Sequence, residues 1–285
     1  CHEAGLVKVG KVYLDGTKMQ ANGSLAANRT LAHLEQEITK MHEEMKATDA
    51  AEDAQHGKDR RGDELPAELR GKRERLARLE QAKERLELAA AAERVEQEQK
   101  LAKRKEEEEQ SGKKKAGRKP ADPDAVVNHD RKANTTDPES RIMKTRQGHV
   151  QGYNAQAIVT ADQCIVSAEI TQQENDVHQL EPMLNAMEAT LKAAGIEERP
   201  LTLAADAGYW HDQLEVTKLE KEGPELFIAT ASRLKEAQAH QAEGSPQGRI
   251  PDDITPKQRM ARKLRTKVGR AVYKLRSQTV EPVFG

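Results

Sequence analysis

The chain has few aromatic residues and almost no cysteine. Phe, Trp and Tyr make up 2% of its 285 residues, and the two cysteines are Cys1 and Cys164. Two cysteines cannot build the disulfide framework of a small secreted domain. No apolar run approaches the roughly 20 residues that a membrane-crossing helix needs, and no signal-peptide pattern is present. The expectation is therefore a cytoplasmic chain without a membrane partner. Hydrophobic residues reach only 36% while charged residues make up 33%, against about 45–50% and about 25% in ordinary domains. One uniform compact core is excluded, so part of the chain must be solvated helix or linker. An excess of one charge is missing too: 47 Lys and Arg face 48 Asp and Glu, for a formal net charge of −1. That balance names no partner, and the distribution of the charges carries the information instead. The chain opens on Cys-His-Glu and stops at Val-Phe-Gly, which reads as an internal fragment.

Residues 10–24 hold a short apolar run, Val12-Tyr13-Leu14, that ends at Asp15-Gly16; this predicts one strand running into a turn. From Leu31 the period changes. Leu31, Leu34, Ile38, Met41 and Met45 are spaced 3, 4, 3 and 4, the a/d repeat of a helical seam. A second heptad pattern starts near Leu65 and includes Leu69, Leu76, Leu79 and Leu86. It can extend to about Glu109, and the pair predicts an antiparallel coiled-coil hairpin over 25–110 that buries a narrow stripe. Residues 111–150, rich in Lys, Pro, Asn, Asp and Thr, read as a linker.

From 151 the texture is that of a folded domain. YNAQAIVT and CIVSAEIT predict a β-hairpin. Asn175 or Asp176 is a candidate cap for a helix whose apolar residues run from Val177 to Leu191, closed by Gly195. PLTLAADAGYW predicts a buried strand ending at Asp206, followed by a helix over 211–222, and ELFIATAS another strand. The order predicts an α/β fold with a mixed sheet, interrupted after its first strand by the helical hairpin.

Residues 257–276 contain nine Lys or Arg and no acid, so the rest of the chain carries a formal charge of −10. A block of this density suits a phosphate backbone, while a solvated basic helix is the plainer reading. Two carboxylates stand at strand ends, Asp15 and Asp206. Brought together there they make a site for a hard divalent cation; each taken alone reads as a turn residue. Glu281, behind the basic block, completes a possible trio able to hold two metal ions for in-line phosphoryl displacement; by itself it reads as a surface glutamate. Trp210 beside Asp206 suits a splayed base or the core, and the histidines show no zinc-ligand spacing with either cysteine.

These residues carry a resemblance. VYLDGTKMQANGS, DPESRIMKTRQGHVQGYNAQAIV, NDVHQLEPML, LAADAGYW and YKLRSQTVEPVFG resemble, in this order, the catalytic domain of bacterial DDE-class insertion-sequence transposases of the branch related to group four. The resemblance implies an RNase H-like fold in which 1–24 is the first catalytic strand region and 151–285 the remainder, cut short at its C-terminus. It implies Asp15, Asp206 and Glu281 as metal-binding carboxylates for two Mg²⁺ ions, with Mn²⁺ able to substitute. Tyr273, Arg276 and Glu281 resemble the Tyr-Arg-Glu-Lys signature. Four residues separate Arg276 from Glu281 where the signature has three, and its lysine would lie beyond Gly285. The implied activity is cleavage of DNA at the element's ends and strand transfer into target DNA by a homodimer. Arg262, Lys263, Arg265, Lys267, Arg270, Lys274, Tyr273 and Arg276 would face the DNA. Two alternatives remain open: an RNase H-like nuclease or resolvase that does not join strands, and a non-enzymatic coiled-coil interaction protein.

Overall fold

The structure is a computed structural model that describes residues 8–56 and 67–284, apart from 115, 118, 233, 234, 236, 237, 239, 240, 242, 243 and 252 and the side chains of 52, 53, 55, 56 and 67–70. Cys1 and Leu65 lie outside the described residues. In chain order the elements begin with β1 (Lys11–Gln20), β2 (Asn28–Thr30), α1 (Leu31–His56) and α2 (Ala67–Ser111). Next come α3 (Pro123–Val126), β3 (Lys132–Asn134), β4 (Arg141–Thr145), β5 (Gly148–Thr160) and β6 (Ile165–Thr171). The remainder comprises α4 (Leu180–Ala193), β7 (Thr202–Ala205), α5 (Val216–Glu222), β8 (Glu225–Ile228), α6 (Pro256–Arg265) and α7 (Lys267–Thr279). The chain divides into two compact units, residues 1–19 with 153–285 and residues 20–152.

The first unit is built on a mixed sheet. β1, β7 and β8 are parallel neighbours, and β5 pairs antiparallel with β6 through residues 154–159. The parallel strands are apolar on both faces: Val12, Tyr13, Leu14, Leu203, Ala204, Ala205, Leu226, Phe227 and Ile228 are all buried. Continuous apolar runs of this kind belong to sheets covered on both sides. The helical spacing noted in the sequence seats Leu180, Met183, Leu184, Met187 and Leu191 of α4 in this core. Gly195 ends α4 with φ +69°. Its N–H bonds the Lys192 carbonyl, and the Ile196 N–H reaches back to Leu191, the paired bonds of a Schellman end.

Three local expectations change. Asp176 does not cap α4; Gln179 precedes the helix and makes no side-chain cap bond. The helix expected over 211–222 begins only at Val216; before it the Leu214 N–H closes a turn on the His211 carbonyl, with Trp210 and Leu214 packed against the core. The basic block is two helices rather than one. Thr266 is extended (φ −66°, ψ 161°), ends α6, and caps α7 by accepting the Gly269 N–H. A Cβ on Gly269 would stand 2.8 Å from Leu264 Cα, so this glycine lets the two helices meet. Met260, Leu264 and Val272 face the core.

In the second unit α1 and α2 form the expected antiparallel pair. Leu34, Leu79, Ala82 and Leu86 bury the seam together with Ala133, flanked by Leu31, Ile38 and Met41. Glu35 pairs with Lys83 at 3.3 Å, Glu37 with Arg75 at 3.2 Å and Glu44 with Lys72 at 3.8 Å. Rising numbers on one helix meet falling numbers on the other. The α2 helix has 45 residues, which spans about 68 Å at 1.5 Å per residue. The stretch expected to be a linker is folded in part: α3 is capped by Asp122, β3 pairs with β2, and β4 forms a hairpin with the start of β5. Its Asn and Asp residues close local turns rather than solvate a tether. Buried Asn134 accepts the N–H groups of Thr136 and Asp137 and donates to the Ser24 carbonyl. Among the described residues no helix is long and apolar enough to cross a membrane.

Replacing Gly269 with Ala is expected to destabilise the first unit by about 1–3 kcal/mol, the usual range for overpacking a close contact. Denaturant melts of Gly269→Ala beside an exposed-site control, Ala271→Ser, measure it.

Candidate active site

The ladder between β1 and β7 pairs Leu14 with Ala205. The residues that follow are Asp15, within β1, and Asp206, immediately after β7. The apolar triplets before them are sunk in the core, so the first polar side chain after each triplet emerges beside the other. Neighbouring strands stand about 4.8 Å apart. The two carboxylates interact through their charges. Asp15-Gly16 is not a turn, because β1 continues through both residues to Gln20. Asp206 does begin a turn: it caps the 3-10 segment Ala207–Tyr209, and its Oδ1 accepts the Gly208 N–H at 2.8 Å. Turn and site are here the same residue.

Arg276, on α7, forms an ion pair with Asp15, its Nη1 2.8 Å from Oδ2, and both side chains are largely buried. Burial pushes the Asp15 carboxyl above the ordinary aspartate range. The Arg276 guanidinium opposes that shift, and the charge of Asp206 adds to it. Burial also works against the charge on Arg276, but Asp15, Tyr273 and Asp206 outweigh it and hold the guanidinium protonated. The Tyr273 ring lies beneath that guanidinium, 6.0 Å from its carbon. The sequence-predicted Asp15, Asp206, Tyr273 and Arg276 are thus brought together.

A third carboxylate, read in the sequence as a helix cap, stands close by. Asp176 Oδ1 accepts from Asn154 Nδ2 and Gln156 Nε2, each at 2.8 Å, and lies 3.7 Å from Lys18 Nζ. Gln156 in turn accepts the phenol proton of Tyr209. Burial raises the Tyr209 phenol far above its usual range, with Asp176, Asp15 and Asp206 adding to the effect, so it stays neutral and donates. A Cβ on Gly208 would lie 3.0 Å from Asp206 Oδ1 and 3.2 Å from Asp176 Oδ2, and one on Gly16 would lie 2.9 Å from Asp176 Oδ1. Both glycines leave room for Asp176. No local pattern marks that role, because Asn154, Gln156 and Asp176 are polar residues at unremarkable spacings.

Glu281 is exposed and opens the 3-10 segment Glu281–Phe284 after α7. Among the described residues no three His, Cys, Asp or Glu side chains stand together as a metal-binding group. Asp15 and Asp206 are nevertheless adjacent hard-oxygen donors whose mutual repulsion a cation would relieve. That fits Mg²⁺, which takes one or two carboxylates and fills its other positions with water or phosphate oxygens.

The basic block divides by role. Lys263 pairs with Glu220 at 2.7 Å and Glu225 at 2.9 Å over the Phe227 ring, and Arg262 donates to the carbonyls of Gln247 and Gly248. Those two side chains thus hold partners within the chain, and Arg265 is half-buried. Lys267, Arg270 and Lys274 are exposed at i, i+3 and i+7, one face of α7; Arg270 also donates to Ser245 Oγ. Trp210 packs against the core. His178, with φ +72°, brings its ring 4.4 Å from that of His211.

A raised carboxyl pKa favours the protonated form in the folded state. Through Asp15, stability is therefore greatest at low pH and falls as pH rises from the unfolded aspartate value through the folded one. Replacing Asp206 with Asn is expected to lower the Asp15 pKa, and Arg276→Gln to raise it further. A ¹³C-carboxyl NMR titration of the three proteins reads both directions.

Comparison of the chain with family models, curated proteins and solved structures returns no match.

Proposed function

We propose that the first unit is the RNase H-like catalytic domain of a DDE-class transposase, with the α1–α2 hairpin inserted after its first strand. The observation that carries this reading is the side-by-side emergence of Asp15 and Asp206 from neighbouring parallel strands, with Arg276 on Asp15. Ligands of α/β sheets gather beside the carboxyl ends of parallel strands; β7 ends just before Asp206, and the parallel pairing of β1 with it stops just before Asp15. Mg²⁺ held by the two aspartates would polarise the phosphodiester and acidify the attacking hydroxyl. The chain's own groups bind and orient. Lys267, Arg270 and Lys274 form a charged face for the DNA backbone, and the same helix carries Arg276 and Tyr273 to the carboxylates. The guanidinium fork of Arg276 matches a phosphate as well as a carboxylate. Glu281 enters the proposal from the resemblance alone, as third ligand and part of a two-ion site. A homodimer stands on the need to hold two element ends, since the α1–α2 seam is closed within the chain.

Mg²⁺ is expected to raise the melting temperature of the chain, and Asp206→Asn to abolish that rise while leaving the far-ultraviolet spectrum unchanged; an equal rise in the variant would overturn the assignment. Three neutral substitutions at Lys267, Arg270 and Lys274 should reduce the slope of log affinity for duplex DNA against log salt by about 2.7, at about 0.9 per phosphate contact. An unchanged slope would leave α7 a solvated face. Incubation with the ends of the genomic segment encoding the chain, Mg²⁺ and a plasmid separates the activities: joined products support a transposase, cut ends alone a nuclease.

A further inference from the structure

We propose that Asp176 is a positioning residue that holds Asp206 beside Asp15 through the hydrogen-bonded chain Asp176–Gln156–Tyr209. This deepens the functional reading above and rests on it.

The chain has a defined polarity. An ionised carboxylate only accepts, so Asp176 draws the amide nitrogen of Gln156 to itself. That orientation turns Gln156 Oε1 toward Tyr209, which must then donate its phenol proton. Tyr209 is fully buried and is the last residue of the 3-10 turn that Asp206 opens. The turn is thereby held at both ends: at its start the Asp206 carboxylate accepts the Gly208 N–H, and at its end the phenol is anchored in the core. Asn154 Nδ2 and Lys18 hold Asp176 from β5 and β1, so its own position is set by the strands on which the turn depends. The missing side chains at Gly16 and Gly208 fit the same arrangement, since a Cβ at either position would crowd Asp176. Outer partners of metal ligands typically change metal affinity by about 10–100-fold.

The test uses Mn²⁺ as the probe, with affinity read by isothermal titration and by loss of the free-ion electron paramagnetic resonance signal. It compares the unaltered chain with Tyr209→Phe, Gln156→Leu, Asp176→Asn and Asp206→Asn. Tyr209→Phe removes a single oxygen atom and is the decisive variant if Gln156→Leu fails to fold. Tyr209→Phe and Asp176→Asn are expected to weaken Mn²⁺ about tenfold with the fold intact by circular dichroism. The double variant Tyr209→Phe/Asp176→Asn should be no weaker than the worse single, because both break one chain. Affinities within twofold of the unaltered chain, with binding still abolished by Asp206→Asn, would overturn the positioning role and leave the site standing. Abolition by Asp176→Asn as complete as by Asp206→Asn would make Asp176 a ligand and overturn the role in the other direction. Failure of the unaltered chain to bind Mn²⁺ would overturn the metal site and this inference together.

Discussion

The parallel ladder between β1 and β7 sets the position of everything at the site. It is built from backbone hydrogen bonds between two triplets of apolar residues with no exposed surface, and a slip of one residue would turn each side chain to the opposite face of the sheet. Burial of Val12–Leu14 and Leu203–Ala205 therefore fixes the register, and the register fixes that Asp15 meets Asp206. Arg276 depends on the same arrangement from the other direction. It reaches Asp15 because Val272 and Val280 anchor α7 in the core on either side of it.

Like charges at that junction require compensation. Burial raises the tendency of Asp15 to hold a proton, and the neighbouring charge of Asp206 adds to it because little water screens the pair. Arg276 on Asp15 and Lys18 near Asp176 supply positive charge from within the chain. On the proposed reading a divalent cation would meet an already neutralised carboxylate, so cation binding and the Arg276 contact are coupled.

The long hairpin illustrates how local pattern and tertiary context divide the work. Heptad spacing from Leu31 to Met45 and from Leu76 to Leu86 identifies both helices, because a two-helix seam needs only a stripe repeating every three or four residues. The following stretch escapes the same treatment. Pro123, Pro138 and a run of Asn, Asp and Thr have the composition of a tether, yet Asn134 is buried with its amide satisfied by backbone groups. Whether such side chains face water or close a turn depends on partners more than 100 residues away, as with Asn134 and Ser24.

Most elements of the first unit are legible in the same way: the hairpin of β5 and β6, the apolar stripe and glycine stop of α4, and the buried strands β7 and β8. Asp15 and Asp206 are legible as candidates because each follows an apolar triplet. Their adjacency is not, since strand order and register arise from packing across 191 positions of sequence. Asp176 and Gln156 are hidden for the same reason, as is the division of the basic block into Arg262 and Lys263, which hold partners within the chain, and Lys267, Arg270 and Lys274, which are exposed. Sequence by itself determined which residues are apolar, which are charged and at what period they recur. Tertiary structure alone decided which charges meet, because electrostatic contacts depend on distance in space and not on separation along the chain.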